Sequence, residues 1–125
     1  PLLYALDAQL EAIERETVEG RWARHAAMAE AVYRWVGERA GRFGLGVLAP
    51  PGERSPTVTA VTLPEGLSGG EVARAIAARG IVVSGGYGTL ATRTFRIGHM
   101  GDHSPQTLAR CLRVCDDALG ALTGR

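Results

Sequence analysis

Arg96 is the residue of this chain whose type and setting best suit chemistry. It lies in the run Thr94–Gly98, where Phe95 and Ile97 alternate with smaller or more polar residues. Because successive side chains of a strand point to opposite faces, we expect Arg96 on the face opposite the two apolar residues. A guanidinium presents a planar fork of donors that suits a carboxylate or a phosphate. On residue type alone, the simpler interpretation is a solvent-facing arginine on a half-exposed strand.

A glycine-rich stretch, Gly85-Gly86-Tyr87-Gly88, precedes that strand. A dinucleotide-binding loop needs its glycines between a strand and a helix. Here a short connection and another strand follow the glycines. We therefore interpret the stretch as a tight turn that could line a ligand site.

The cysteines Cys111 and Cys115 follow His99 and His103 along the chain, which raises the question of a metal site. The spacing matches no familiar zinc pattern. Both cysteines fall on the apolar stripe of a predicted helix, where a free cysteine packs as a small hydrophobic residue. We therefore predict that they pack in the core and that the chain binds no metal.

The composition sets further bounds. The chain has 125 residues, of which 46% are hydrophobic and 22% charged, and its net charge is +1. These values predict one compact domain spanning residues 1–125, and they give no reason to expect a nucleic-acid or membrane partner. All 14 basic residues are arginine, so the side chains offer no lysine amine as base or nucleophile.

The periodicity predicts the elements that position these residues. A long helical segment spans residues 2–40 with a break at Gly20, and two apolar stripes run along it. The first stripe is Leu3, Leu6, Leu10, Ile13 and Thr17; the second is Trp22, Ala26, Ala29, Tyr33, Val36 and Ala40.

The rest of the chain alternates strands with helices. Strands are predicted at 45–48, 57–63, 81–83 and 94–98. An S-x-x-E capping box, Ser68 with Glu71, opens a helix that runs to Arg79, and Ser104 with Pro105 opens the last one. The buried stripe of that last helix is expected to be Leu108, Cys111, Leu112, Cys115, Leu119 and Leu122. The order predicts an α+β fold, a small mostly antiparallel or mixed sheet covered by helices.

Three segments give the chain a family resemblance: LYALDAQLEAI, SPTVTAVTLPEG and SGGYGTLATRTFRIGHMG. From Leu3 to Leu122 it resembles the C-terminal small domain of class V aminotransferases, pyridoxal-phosphate enzymes of fold type I. It is most similar to the alanine–glyoxylate and serine–pyruvate group. In that family the arginine of an R-I-G strand binds the α-carboxylate of the substrate. The resemblance places Arg96 in that role and Gly85, Gly86 and Gly88 in the loop before it.

The resemblance also implies what this chain does not supply. The family's large domain holds pyridoxal 5'-phosphate and the lysine that binds it, so no catalytic residue is expected here. Because Pro1 leads almost directly into a helix with no initiator methionine, we expect a fragment of a longer protein. The intact enzyme would be a homodimer that moves an amino group from alanine or serine to glyoxylate or pyruvate. We expect it in the cytoplasm, although a targeting signal could precede this chain.

Two other interpretations stay open at this point. One keeps the family but changes the reaction, either to another amino donor or to a desulfurase-like lyase. A desulfurase would need a nucleophilic cysteine on a mobile loop, whereas Cys111 and Cys115 are predicted on a helix. The other interpretation is a non-enzymatic α+β binding or assembly module.

Overall fold

The computed structural model describes residues 1–124, which form four helices and a four-stranded sheet. Helices α1, α2, α3 and α4 span Leu2–Glu16, Val18–Phe43, Gly69–Ala77 and Pro105–Thr123. Strands β1, β2, β3 and β4 span Gly46–Val47, Val58–Thr62, Ser84–Gly85 and Thr94–Gly98, and a 3-10 turn covers Gly88–Leu90.

All neighbouring strands are antiparallel, in the order β1-β2-β4-β3. Strand β4 therefore lies inside the sheet between β2 and β3. Phe95 and Ile97 of β4 and Val61 of β2 are at most 1% exposed and belong to the core, together with buried residues of α2, α3 and α4. The predicted α+β fold is confirmed, and its sheet is antiparallel throughout.

Local capping fixes the starts of α3 and α4 where the sequence predicts them. The Ser68 hydroxyl accepts from the Glu71 amide, and the Glu71 carboxylate accepts from the Ser68 amide. Ser104 and Thr107 form the same reciprocal pair at the start of α4, with Pro105 as the first helical residue. Each pair satisfies donors that a helix start leaves unbonded.

The predicted break at Gly20 is wrong. The chain breaks at Thr17, which has φ 68° and ψ 153°, and Gly20 lies inside the first turn of α2. The reason is a side-chain cap, because the Thr17 hydroxyl accepts from the Gly20 amide at 3.1 Å. The helix then runs past the predicted end and stops at Phe43, where Gly44 takes the left-handed conformation.

The two predicted apolar stripes differ in how far they are buried. No residue of α1 is buried, and Leu3, Leu6 and Leu10 are more than half exposed. Periodicity detects an apolar face, but burial also requires a neighbour to cover it. The buried residues of α2 include the predicted Ala29 and Val36, whereas Trp22, Ala26 and Ala40 are exposed. The full buried set of α2 is Met28, Ala29, Val32, Trp35, Val36 and Phe43.

The predicted strand at 81–83 is displaced along the chain. Pairing with β4 begins at Ser84, and Gly85, expected in a turn, belongs to β3. Ile81 and Val83 pack against the core without pairing, and Val82 is 88% exposed. The β-branched composition therefore reflects side-chain packing here rather than a ladder of backbone hydrogen bonds.

The last helix follows its prediction at most positions. Leu108, Cys115 and Leu119 are buried, and Cys111 and Leu112 pack against the core, but Leu122 is 40% exposed. Within residues 1–124, none of the helices combines the length and the apolar character needed to cross a bilayer.

Candidate functional site

The side of the sheet opposite the core keeps access to solvent. Val58, Ala60, Thr62 and Arg96 are half-buried there, and Gly98 is exposed. These five residues alternate with the core residues of β2 and β4, and we call the surface they form the open face. Arg96 thus lies where the alternation predicts, opposite Phe95 and Ile97.

Small residues flank Arg96 on both neighbouring strands. The register pairs it with Ala60 of β2 and with Ser84 of β3. Side chains directly opposite each other in a sheet are in contact range, so large residues at these positions would cover the guanidinium. A methyl and a hydroxymethyl group leave it accessible.

Arg96 also differs from the other half-buried arginines of residues 1–124. Arg21, Arg24 and Arg39 form ion pairs with Asp102, Glu16 and Asp116 at 2.9, 2.6 and 2.8 Å. The Arg54 guanidinium lies 4.6 Å from the centre of the Tyr33 ring.

Arg96 has neither kind of partner among the described residues. Its Nε donates to the Gly85 carbonyl at 3.0 Å, and its two Nη groups have no protein acceptor there. A half-buried charge without a counter-ion is unfavourable unless something else neutralises it. Arg96 is thus a half-buried guanidinium at the open face that lacks a carboxylate partner among the described residues.

The glycine stretch before β4 folds back onto the strand. The Gly86 amide donates to the Thr94 carbonyl at 2.8 Å, and the Thr94 hydroxyl donates to the Leu90 carbonyl at 3.0 Å. A Cβ atom on Gly86 would lie 2.2 Å from the Leu90 carbonyl oxygen, so only glycine fits there. Gly88 has φ +56°, a conformation that other residues rarely adopt.

The structure thus brings all four predicted site residues together. Gly85 contacts Arg96 directly, while Gly86 and Gly88 shape the turn next to it. Tyr87 is 84% exposed at the tip of this turn.

The histidines and cysteines considered for a metal site differ in burial: His103 is exposed and Cys111 is half-buried, whereas His99 and Cys115 are buried. His99 is fully buried, and its Nε2 lies 2.9 Å from the Thr59 hydroxyl, a bond that ties the end of β4 to β2. Burial lowers the pKa of His99. In the described part of the chain, no group of three or more His, Cys, Asp or Glu residues is arranged to hold a metal ion.

Core packing of the cysteines is confirmed. Cys115 is fully buried, and Cys111 packs against the core from the preceding turn of α4. A hydrogen bond with Cys111 and burial together raise the pKa of the Cys115 thiol, which keeps it protonated. Neither cysteine lies on a loop, which the desulfurase interpretation would require.

An arginine clamp that the sequence analysis missed holds the loop after β4. Arg24 donates to both carboxylate oxygens of Glu16, at 2.6 and 2.9 Å, and to the carbonyls of Gly101 and His103. Arg21 binds the Gly101 carbonyl and the Asp102 carboxylate. The hydrogen bond from Arg24 lowers the pKa of Glu16. No periodic pattern signals this clamp, because its members are distant in sequence and held together by tertiary contacts.

Comparison with known proteins shows that the chain is similar to aminotransferases. The chain is 38% identical over 103 residues to an uncharacterised aminotransferase of Methanocaldococcus jannaschii, covering 80% of this chain and 25% of that protein. It is 32% identical over 126 residues to the serine–glyoxylate aminotransferase of Methylorubrum extorquens, covering 99% of this chain and 28% of that one. No protein-family model matches the chain.

Solved structures agree with the sequence relatives. Pyridoxamine–pyruvate aminotransferase from Mesorhizobium loti superposes with a TM-score of 0.83 at 34% identity, over 96% of this chain and 30% of that one. The chain is homologous to the class V aminotransferases. Alanine–glyoxylate aminotransferase from Nostoc sp. gives a TM-score of 0.81 at 32% identity, over 93% and 30% of the two chains. The chain thus spans between a quarter and a third of the length of these aminotransferases.

Proposed function

We propose that this chain is the substrate-carboxylate-binding domain of an aminotransferase that moves an amino group from alanine or serine to glyoxylate or pyruvate. Serine–glyoxylate, alanine–glyoxylate and pyridoxamine–pyruvate aminotransferases are among its relatives, which supports this substrate class. Within the chain, the proposal depends on one observation. Arg96 is a half-buried guanidinium on an accessible face with no carboxylate partner among the described residues.

The role of Arg96 in this proposal is to bind and orient. An amino acid and the corresponding 2-oxo acid both carry a carboxylate, so one arginine can serve the donor and the acceptor. Two parallel N–H···O bonds fix the carboxylate in position and in orientation, which a single point charge does not do. Holding the substrate in a reactive orientation lowers the entropic part of the barrier.

The cofactor of the whole enzyme is, in this proposal, pyridoxal 5'-phosphate, on which the aminotransferase family depends. When bound, it supplies an electron sink for the substrate carbon. The residues of this chain do not fit a complete cofactor site, because there is no lysine to bind the aldehyde covalently. The covalent attachment and the proton transfers at the reacting carbon therefore belong to residues outside this chain. We further propose a cytoplasmic homodimer for the intact enzyme.

Kinetics of the full-length enzyme test the proposal. Arg96→Lys keeps the charge but loses the fork, and Arg96→Ala loses both. A hydrogen bond to a charged group contributes about 1.5–3 kcal/mol, so we expect kcat/KM to fall by roughly tenfold to a hundredfold or more. The loss should appear as a higher KM for the amino acid and the oxo acid, while the cofactor absorbance stays unchanged.

Arg93→Lys and Arg93→Ala are the matched controls. Arg93 is exposed and lies one residue before β4, so it is an arginine close to Arg96 that is not one of the open-face residues. Its variants should retain normal kinetics. Near-normal efficiency of both Arg96 variants would show that Arg96 is an ordinary surface arginine.

A further inference from the structure

We propose that the main-chain carbonyl of Gly85 is a positioning group for Arg96, and that it dictates which edge of the guanidinium meets the carboxylate. This inference rests on the proposed function. It separates the loop glycines by role: Gly86 and Gly88 shape the turn, whereas Gly85 contributes through its carbonyl oxygen.

The geometry of the guanidinium sets the alternatives. A guanidinium can grip a carboxylate in two planar ways, side-on through Nε and one Nη, or end-on through Nη1 and Nη2. Arg96 Nε already donates to the Gly85 carbonyl at 3.0 Å. Side-on binding would break that bond, whereas end-on binding keeps it. The carboxylate is therefore bound end-on, by the two Nη groups.

The sheet register explains why the Gly85 carbonyl is available. Gly85 is opposite Phe95, and the Gly86 amide donates to the Thr94 carbonyl. This pattern makes Gly85 and Phe95 a non-hydrogen-bonded pair of the antiparallel ladder, so β4 does not use the Gly85 carbonyl. The carbonyl is left to accept from a side chain, and Arg96 is the donor.

The turn after Gly85 holds this carbonyl in place. Gly86 approaches the Leu90 carbonyl and the Thr94 hydroxyl so closely that an added Cβ would lie 2.2 and 2.3 Å from their oxygens. A side chain there would push the turn away from β4 and take the Gly85 carbonyl with it. By contrast, a Cβ on Gly85 would meet nothing nearer than Gly69, at 4.0 Å.

A control variant makes the same chemical change outside the site. Gly86→Ala moves the turn, and with it the Gly85 carbonyl, through the close contacts at Leu90 and Thr94. Gly70→Ala adds a methyl to α3 that would meet only the tip of the Arg74 side chain, at 3.5 Å, so it leaves the Gly85 carbonyl and the open face unaltered.

The first experiment measures steady-state kinetics of the full-length enzyme with alanine and glyoxylate. Gly86→Ala should raise the KM for both substrates by between about tenfold and a hundredfold, since a small misplacement of a binding group has effects of that size. Gly70→Ala, which lies outside the site, should change KM by less than about twofold. Equal effects of the two variants on KM would overturn the inference.

The second experiment does not depend on how Gly86→Ala folds. A crystal structure of the unaltered full-length enzyme with glyoxylate should show the carboxylate within hydrogen-bond distance of both Nη groups, with Nε still bound to Gly85. A carboxylate bound through Nε would overturn the inference and leave the proposed function intact. Normal kinetics of Arg96→Lys and Arg96→Ala would instead refute the proposed function, so the two failures are distinguishable.

Discussion

Gly69 at the start of α3 offers the sharpest test of how the helices are fitted to the sheet. A Cβ atom at this position would lie 1.9 Å from the Thr94 carbonyl oxygen and 3.0 Å from the Ala91 carbonyl oxygen. The Gly69 amide also donates to the Thr92 carbonyl at 3.3 Å. The first turn of α3 therefore rests directly on the backbone that leads into β4.

The expected loss for Gly69→Ala follows from these distances. Carbon–oxygen contacts in proteins are about 3.3–3.6 Å, so the helix start or the strand would have to move by more than about 1 Å. The two oxygens belong to the backbone, and β4 is hydrogen-bonded to both β2 and β3, so the strand cannot easily move away from the added methyl. Forced overpacking of this kind typically lowers the free energy of unfolding by about 1–3 kcal/mol.

Gly70→Ala is the matched control, because it makes the same chemical change one residue later. Its added methyl would meet only the tip of the Arg74 side chain, at 3.5 Å. Alanine is favoured over glycine in helices by up to about 1 kcal/mol, so Gly70→Ala should be neutral or slightly stabilising.

Urea unfolding followed by far-ultraviolet circular dichroism measures both effects. The midpoint for Gly69→Ala should fall while the slope stays the same, and thermal melting should show a loss of several degrees. If Gly69→Ala were as stable as Gly70→Ala, the close approach of α3 to β4 would be wrong.

Three other predictions follow from single features. Burial lowers the pKa of His99 from 6.5, so its contribution to stability is complete above about pH 6.5 and is lost as the pH falls through the lower folded-state value. His99→Gln should flatten the stability–pH curve there, and an unchanged curve would contradict this. Leu6 and Leu10 are each 54% exposed on a helix with no buried residue, so the chain should self-associate. In sedimentation, the double variant Leu6→Glu with Leu10→Glu should weaken the self-association, whereas Ala8→Glu should not. A clean monomer of the unaltered chain at high concentration would contradict this prediction. Because the chain has no lysine, it should not turn over alanine with glyoxylate when supplied with pyridoxal 5'-phosphate alone; measurable turnover would disprove this.

Rules that act within a few residues predict part of this structure well. The cap formed by Ser68 and Glu71 and the start of α4 at Ser104 are correct because each depends on atoms three residues apart. The alternation in β4 assigns Arg96 to the correct face, because it too depends only on residues that are neighbours in the strand. What these rules describe is the geometry of single elements.

Long-range contacts account for what the sequence could not reveal. In the sequence, Gly69 and Gly70 are simply two adjacent glycines. They differ in the fold because the Thr94 backbone lies against Gly69 and not against Gly70. That Arg96 has no carboxylate partner among the described residues is likewise a tertiary property, since Arg21 and Arg39 pair with carboxylates far along the chain. Sequence could therefore place Arg96 on a strand face, but it took the fold to show that no described carboxylate neutralises it.

The position of Arg96 is also as firmly determined as the core itself. Slipping β4 by one residue against β2 would turn Phe95 and Ile97 to the open face and bring Arg96 inside. The first change would expose two side chains that are now at most 1% exposed, and the second would bury a charge without a partner. Both penalties oppose the slip, so the packing that stabilises the sheet also presents the guanidinium outward. The contacts that bury Phe95 and Ile97 therefore also select the face on which the guanidinium lies, and the Gly85 carbonyl accepts from its Nε.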